Sequence, residues 1–164
     1  LIPAVFLERP WTILTNIFVH SPFPGIWHII ANMVTLYFFG SNLLRLVGEK
    51  RFLIIYFIGG LLGNVFYLAS TLYLGIGSTY SIVIGASGAV FSVAGALTMI
   101  SPKSRVFIFP IPVPMPLWVA VIGGFIILLI PSMMTNIAWQ AHLGGLVFGI
   151  IMGYFFRKRI RRFN

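Results

Sequence analysis

Long apolar runs dominate this chain of 164 residues, and short stretches rich in glycine, proline or basic residues separate them. Five runs can be delimited, at about residues 26–47, 52–74, 82–100, 117–131 and 138–156. Each run approaches the roughly 20 residues that a helix needs to cross a bilayer, although the third and fourth are short. The pattern therefore predicts an all-α fold, a polytopic bundle with five transmembrane helices in this chain.

The stretches between the runs carry residues that end helices. Gly75 and Gly77 lie between the second and third runs, and Pro131 closes the fourth. Every second residue from Pro110 to Pro116 is proline. Because proline removes a backbone donor and crowds the preceding turn, the chain ahead of the fourth run cannot be a regular helix.

The composition agrees with a membrane setting. Hydrophobic residues make up 59% of the chain and charged residues only 8%, whereas about a quarter of an average soluble domain is charged. The net charge of +9 does not indicate a nucleic-acid partner, because the basic residues cluster at the ends of the apolar runs. The chain has no cysteine, which excludes disulfides and thiolate chemistry. We interpret residues 1–164 as one multi-pass membrane domain in contact with the lipid bilayer.

The basic residues also predict an orientation. Ten of the eleven lie on one side of the predicted spans, whereas the opposite loops, around 75–81 and 131–137, carry no charge. The side rich in Lys and Arg is normally cytoplasmic, so we expect a basic cytoplasmic tail at 157–164 and a location in the plasma membrane. Five spans then place residue 1 outside, and we expect a sixth span ahead of it in the parent chain. The ten residues are Arg45, Lys50, Arg51, Lys103, Arg105, Arg157, Lys158, Arg159, Arg161 and Arg162.

Residues 1–27 have a different character. Polar residues interrupt the apolar ones between Trp11 and Val19, and prolines and a glycine follow. This pattern favours an interfacial element in the outer leaflet over a crossing helix. A disordered tail is the alternative.

Two polar residues lie where polar groups are costly. Ser87 lies in a stretch without charged residues from 52 to 102, and His142 lies in a second such stretch from 106 to 156. Polar residues at membrane depth are functional-site hypotheses by default, and a serine with a histidine suggests a nucleophile and its base. Each residue also has a structural alternative: close packing of small residues around Ser87, or a hydrogen bond within the bundle for His142.

Residue spacing predicts which helices meet. A glycine recurs every four residues from Gly145 to Gly153, which lets the last span lie close against a partner. The third span offers a matching face formed by Ser87, Phe91 and Gly95, with Gly88, Ser92 and Ala96 adjacent to it. Close packing of these two helices would place His142 beside Ser87.

The remaining polar residues limit the chemistry. His28 and Asn32 are four residues apart and share a face of the first span, where they could donate to an oxyanion, snorkel to the interface or bond a neighbouring helix. The chain has only two acids, Glu8 and Glu49, and neither is placed to orient His142, so any catalysis must use a Ser–His dyad. Three histidines without cysteine give poor zinc geometry, and we predict no metal and no cofactor.

Four motifs, in order, resemble those of the rhomboid intramembrane serine proteases. The stretch from His28 to Asn32 resembles the HxxxN element, Gly85 to Gly88 the GxSG element, and Ala141 to Gly149 the AHxxGxxxG element of that family. The segment from Trp11 to His20 is similar to its first extracellular loop. The resemblance runs from about residue 9 to 156, and the family's six-helix core accounts for the span expected ahead of residue 1.

The resemblance implies a role for each site residue. Ser87 would be the nucleophile and His142 the general base. Asn32, His28 and the backbone N–H of Ser87 would form the oxyanion hole, and Phe91 would stack on the catalytic histidine. The residues expected to pack the site are Gly85, Gly88, Phe91, Gly145 and Gly149.

The chain is thus predicted to be an intramembrane serine endopeptidase that cleaves transmembrane protein substrates near the outer leaflet. The resemblance also implies that the loop 131–137, with Met133 and Met134, covers the site. One alternative is a catalytically silent protein of the same fold that binds membrane clients, against which the intact Ser87 and His142 count. Another is a transporter or channel subunit with Ser87 in its substrate site, which leaves the polar pair on the first span unexplained. No oligomeric state is predicted.

Overall fold

A computed structural model of the protein describes residues 1–22, 25–108, 111–132 and 138–163. Its helices are α1 Thr12–Thr15, α2 Ile26–Thr35, α3 Ser41–Val47, α4 Glu49–Leu74, α5 Ser87–Ile100, α6 Leu117–Ser132 and α7 Trp139–Phe163. Short 3-10 turns occupy Pro3–Val5 and Asn16–Phe18. A π-helical turn, Leu36–Gly40, joins α2 to α3.

The predicted fold class is confirmed, because the described chain is a bundle of apolar helices. Three helical stretches are long and apolar enough to cross a membrane, namely Ile26–Val47, Glu49–Leu74 and Trp139–Lys158. Two shorter apolar helices, Ser87–Ile100 and Leu117–Ile130, accompany them. Large apolar side chains on α6 and α7 are exposed, as is expected of surfaces that face lipid rather than water.

The helix of the third predicted run begins later than the run itself. The run was placed at 82–100, but α5 begins only at Ser87 and has 14 residues. The backbone of Gly85 has a φ of +111°, which a right-handed helix does not contain. A helix of this length is about 21 Å long, shorter than the ~30 Å hydrocarbon core of a bilayer. Ser87 therefore starts a helix that is too short to span the membrane.

The basic stretch after the last run is helical, and part of another expectation lies outside the described residues. The stretch predicted as a tail from 157 onward continues α7 as a helix to Phe163. Met133 and Met134 of the expected cap, and the last residue, 164, lie outside the described residues.

The described part of the proline-rich stretch is a strand in a two-stranded antiparallel sheet, which the all-α prediction did not include. Strand β1, Arg105–Ile108, pairs with β2, Ile111–Pro116, in antiparallel register, with Val106 opposite Met115. Residues two apart on a strand direct their N–H groups to the same side. The alternating prolines of β2 therefore lack N–H groups on one edge only, and the other edge stays free to pair with β1.

The core lies where α4, α5 and α7 pack against one another. Small residues bring their backbones together: Gly145 of α7 lies against Gly88 of α5, and Gly149 lies against the Ser92 carbonyl. Gly63 of α4 faces the Ala141 carbonyl in the same way. Membrane helices associate through close contacts of this kind because lipid supplies no hydrophobic drive between them.

Basic residues gather at the end of the bundle opposite Ser87. Arg51, at the start of α4, lies over the ring of Phe156 with 5.5 Å between the guanidinium carbon and the ring centroid. Arg157 donates to the carbonyl of Met99, near the end of α5, at 3.3 Å. Because Ser87 begins α5, the candidate serine and this basic end lie at opposite ends of that helix.

We expect Gly149→Ala to destabilise the protein by about 1–3 kcal/mol, the usual cost of forcing extra volume into a packed interior. The added methyl group would meet the Ser92 carbonyl oxygen, which belongs to helix backbone and cannot move alone. Thermal unfolding in detergent micelles measures the effect.

Gly123→Ala on α6 is the matched control. Among the described residues nothing lies within 4 Å of its added methyl group, and alanine favours a helix over glycine by about 1 kcal/mol. Equal unfolding temperatures for the two variants would contradict the close packing of α5 and α7.

Candidate active site

The candidate nucleophile stands at the first residue of α5. Ahead of it Gly85 adopts a φ of +111°, in a region that favours glycine. A side chain at this position would also meet the ring of His28, because an added Cβ would lie 2.6 Å from the Cε1 atom. The turn at Gly85 thus ends the loop and lets the helix start at Ser87. The first N–H groups of a helix have no carbonyl partner within it and favour negative charge nearby.

Ser87 and His142 are in direct contact. The Ser87 Oγ lies 2.7 Å from the His142 Nε2, a hydrogen-bond distance. His142 comes from the first turn of α7 and is only 7% exposed. One turn further on, Gly145 lies against Gly88, so the two helices are closest where the pair meets.

An aromatic ring stacks on the imidazole of His142. The ring of Phe91, one turn after Ser87, is stacked on that of His142, with centroids 5.0 Å apart and planes at 27°. Phe125 of α6 meets Phe91 edge to face at 5.8 Å. Within the described chain no hydrogen bond joins a carboxylate to His142, so packing and the serine are what orient the ring.

The polar pair on the first span meets the loop ahead of Ser87 through His28. The ring of His28 covers Gly85, and its Nδ1 lies 3.3 Å from the Ser21 Oγ. Asn32 is buried, and its amide donates to the His28 carbonyl at 2.8 Å. Across the described residues neither side chain is hydrogen-bonded to Ser87, so the contact shown is between His28 and the serine loop.

Sequence reasoning missed three residues around this loop. The N–H of Gly85 donates to the Asn16 carbonyl at 2.9 Å, and the N–H of Ala86 donates to the His20 Nε2 at 3.4 Å. Asn16 in turn pairs through its side chain with Asn64 of α4. Asn64 could have been singled out, because it is an amide in the middle of an uncharged apolar run.

Comparison with known proteins matches nearly the whole chain to one family. A model of the Rhomboid domain family matches residues 7–159. RHOMBOID-like protein 12, mitochondrial, from Arabidopsis thaliana is 34% identical over 94% of the chain and 49% of its own length. Rhomboid protein 1, mitochondrial, from Saccharomyces cerevisiae is 28% identical over 92% of the chain and 43% of its own length. Rhomboid protease GluP from Bacillus subtilis is 32% identical over 85% of the chain and 24% of its own length.

These relatives bear on where the protein resides. The chain spans about half the length, or less, of the relatives it matches. Two of the three are named as mitochondrial proteins, so the expectation of the plasma membrane finds no support in them. The apolar helices and the family match show an integral membrane protein. The chain belongs to the rhomboid family.

Proposed function

We propose that the protein is an intramembrane serine endopeptidase that cleaves transmembrane segments of other membrane proteins. The contact of 2.7 Å between the Ser87 Oγ and the His142 Nε2 carries this proposal, since a nucleophile must lie within hydrogen-bond reach of its base. A relative that is named a rhomboid protease supports it.

The chemistry follows from the dyad. His142 accepts the Ser87 proton while the Oγ attacks the carbonyl carbon of the scissile peptide bond, which gives a tetrahedral oxyanion. When the oxyanion collapses, the C–N bond breaks and the imidazolium returns its proton to the leaving amine. A water molecule then attacks the acyl-enzyme, with His142 again accepting a proton, and releases the second product.

The oxyanion develops beside the start of α5. The backbone N–H of Ser87 lies in the first turn of that helix, where N–H groups have no partner within the helix. His28 covers the preceding glycine, and Asn32 has a second amide hydrogen besides the one it donates to its own helix. These three donors make up the proposed oxyanion hole.

The substrate must reach Ser87, which is half-buried at the start of α5. A helical peptide bond is shielded by its own hydrogen bonds, so a transmembrane substrate has to unwind locally before it is cleaved. The uncharged loop before α5 and the start of α7 form the end of the bundle where an unwound segment would be bound.

We expect Ser87→Ala and His142→Ala each to abolish cleavage of a transmembrane substrate while the protein stays folded. A fluorophosphonate, which attacks activated serines, should label the wild type but neither variant. Ser104→Ala is the matched control, because Ser104 is exposed and lies beyond the opposite end of α5. Cleavage by purified Ser87→Ala would rule out the proposed nucleophile. A folded wild type that neither cleaves nor is labelled would favour a catalytically silent protein that binds membrane clients.

His28→Ala and Asn32→Ala should lower kcat more than they raise KM, because oxyanion donors act on charge that develops in the transition state. Loss of one such donor typically costs about 100- to 1000-fold in kcat. Asn42→Ala is a control of the same residue type: its exposed amide donates to the Phe38 carbonyl near the end of the first span. Unchanged kcat in both site variants would place the oxyanion elsewhere.

The end of the bundle that carries the basic residues is expected on the cytoplasmic side, because cytoplasmic loops of membrane proteins are rich in Lys and Arg. The chain has no cysteine, so single cysteines can report the orientation. In intact bacterial cells that express the protein, a membrane-impermeant thiol reagent should label Ser78→Cys before permeabilisation and Ser104→Cys only after it. Both serines are exposed. The reverse order of labelling would invert the orientation.

A further inference from the structure

Two consecutive peptide groups ahead of Ser87 are held by one segment of the chain, residues 16–20. The N–H of Gly85 donates to the backbone carbonyl of Asn16 at 2.9 Å. The N–H of Ala86 donates to the Nε2 of His20 at 3.4 Å, in the tautomer that carries its proton on Nδ1. Residues that lie 66 or more positions apart in sequence are joined in this way.

A buried amide pair fixes this segment to α4. The Nδ2 of Asn64 donates to the Oδ1 of Asn16 at 2.8 Å, and the Nδ2 of Asn16 donates back to the Oδ1 of Asn64 at 3.2 Å. Asn64 also donates to the carbonyl of Ile13 at 2.7 Å. Asn16 is 3% exposed and Asn64 is 4% exposed. Both amides are therefore buried, and a buried amide without a hydrogen-bond partner would be costly.

Apolar contacts reinforce the same arrangement. Ile17, which follows the paired asparagine, is 2% exposed and packs in a cluster with Ala86, Ala89 and Val90. A methyl group on Gly60 of α4 would lie 2.7 Å from the Ile17 Cδ1, so the segment rests directly on that helix. The segment thus contacts α4 on one side and the start of α5 on the other.

We infer that Asn16, His20 and Asn64 are positioning residues for Ser87, with Asn64 acting through Asn16. The inference rests on the proposed function, because it assigns these residues to the placement of the nucleophile. Gly85 has no side chain to restrict its turn, and its φ of +111° is one of several that glycine adopts readily. The two hydrogen bonds select this turn and hold the Ser87 Oγ at 2.7 Å from the base.

Loss of the hydrogen bonds that hold Gly85 and Ala86 should therefore slow the reaction rather than weaken substrate binding. A displacement of about 1 Å at a reacting group can cost on the order of 100-fold in rate. We expect Asn64→Ala to lower kcat by about 10- to 100-fold and His20→Phe, which keeps a ring but lacks the acceptor, by about 10-fold, with KM nearly unchanged. His20→Gln retains an acceptor at the position of Nε2 and should restore most of the activity.

Hydrogen exchange provides a readout that is independent of catalysis. Amide exchange of a peptide containing Gly85 and Ala86 should be slow in the wild type and in Asn42→Ala, and faster in Asn64→Ala and His20→Phe. Asn42 is a suitable control because its exposed amide bonds only within its own helix. If Asn64→Ala does not fold, the comparison of His20→Phe with His20→Gln still tests the inference, because His20 lies at the partly exposed end of the segment.

The results separate the inference from the proposed function. Faster exchange at Gly85 and Ala86 together with unchanged kcat would overturn the positioning role while leaving the protease intact. Equal kcat for His20→Phe and His20→Gln would overturn the role of the His20 acceptor. A wild type without any proteolytic activity or fluorophosphonate labelling would instead overturn the proposed function, and the exchange data would still show whether the segment holds the loop.

Discussion

The close approach of α5 and α7 is the constraint on which the candidate site depends. Gly145 lies against Gly88 and Gly149 against the Ser92 carbonyl, so the two backbones touch where larger residues would keep them apart. In lipid, such contacts supply the packing energy that the hydrophobic effect supplies in water. The same approach leaves 2.7 Å between the Ser87 Oγ and the His142 Nε2. The packing of the two helices therefore sets the distance between Ser87 and His142.

A second constraint is that polar groups inside the bundle must find partners within the protein. The amide pair of Asn16 and Asn64 satisfies this requirement and at the same time attaches the N-terminal segment to α4. That segment accepts hydrogen bonds from the loop before α5, whose backbone would otherwise be left without partners. The same residues thus satisfy buried polar groups and bind the loop ahead of Ser87.

The candidate site contains few charged groups, which suits an apolar interior. An ionised carboxylate at membrane depth is costly. Of the two acids of this chain, Glu8 is exposed near the N-terminus and Glu49 begins α4. In place of a carboxylate, the ring of Phe91 lies against the imidazole of His142. A neutral Ser–His pair supported by an aromatic ring carries no permanent charge into the apolar interior.

Local patterns in the chain were enough to predict the helical membrane class, the approximate helix positions and the helix pair that packs closely, because each depends on local hydrophobicity or residue size. They also singled out Ser87 and His142 as polar residues in apolar runs. The start of α5 at Ser87 rather than near residue 82 could not be predicted in this way, because the turn at Gly85 makes contacts with His28 and Asn16, which are distant in sequence. Pairs such as Asn16 with Asn64 arise only when distant segments are packed together, and no local pattern records such a contact.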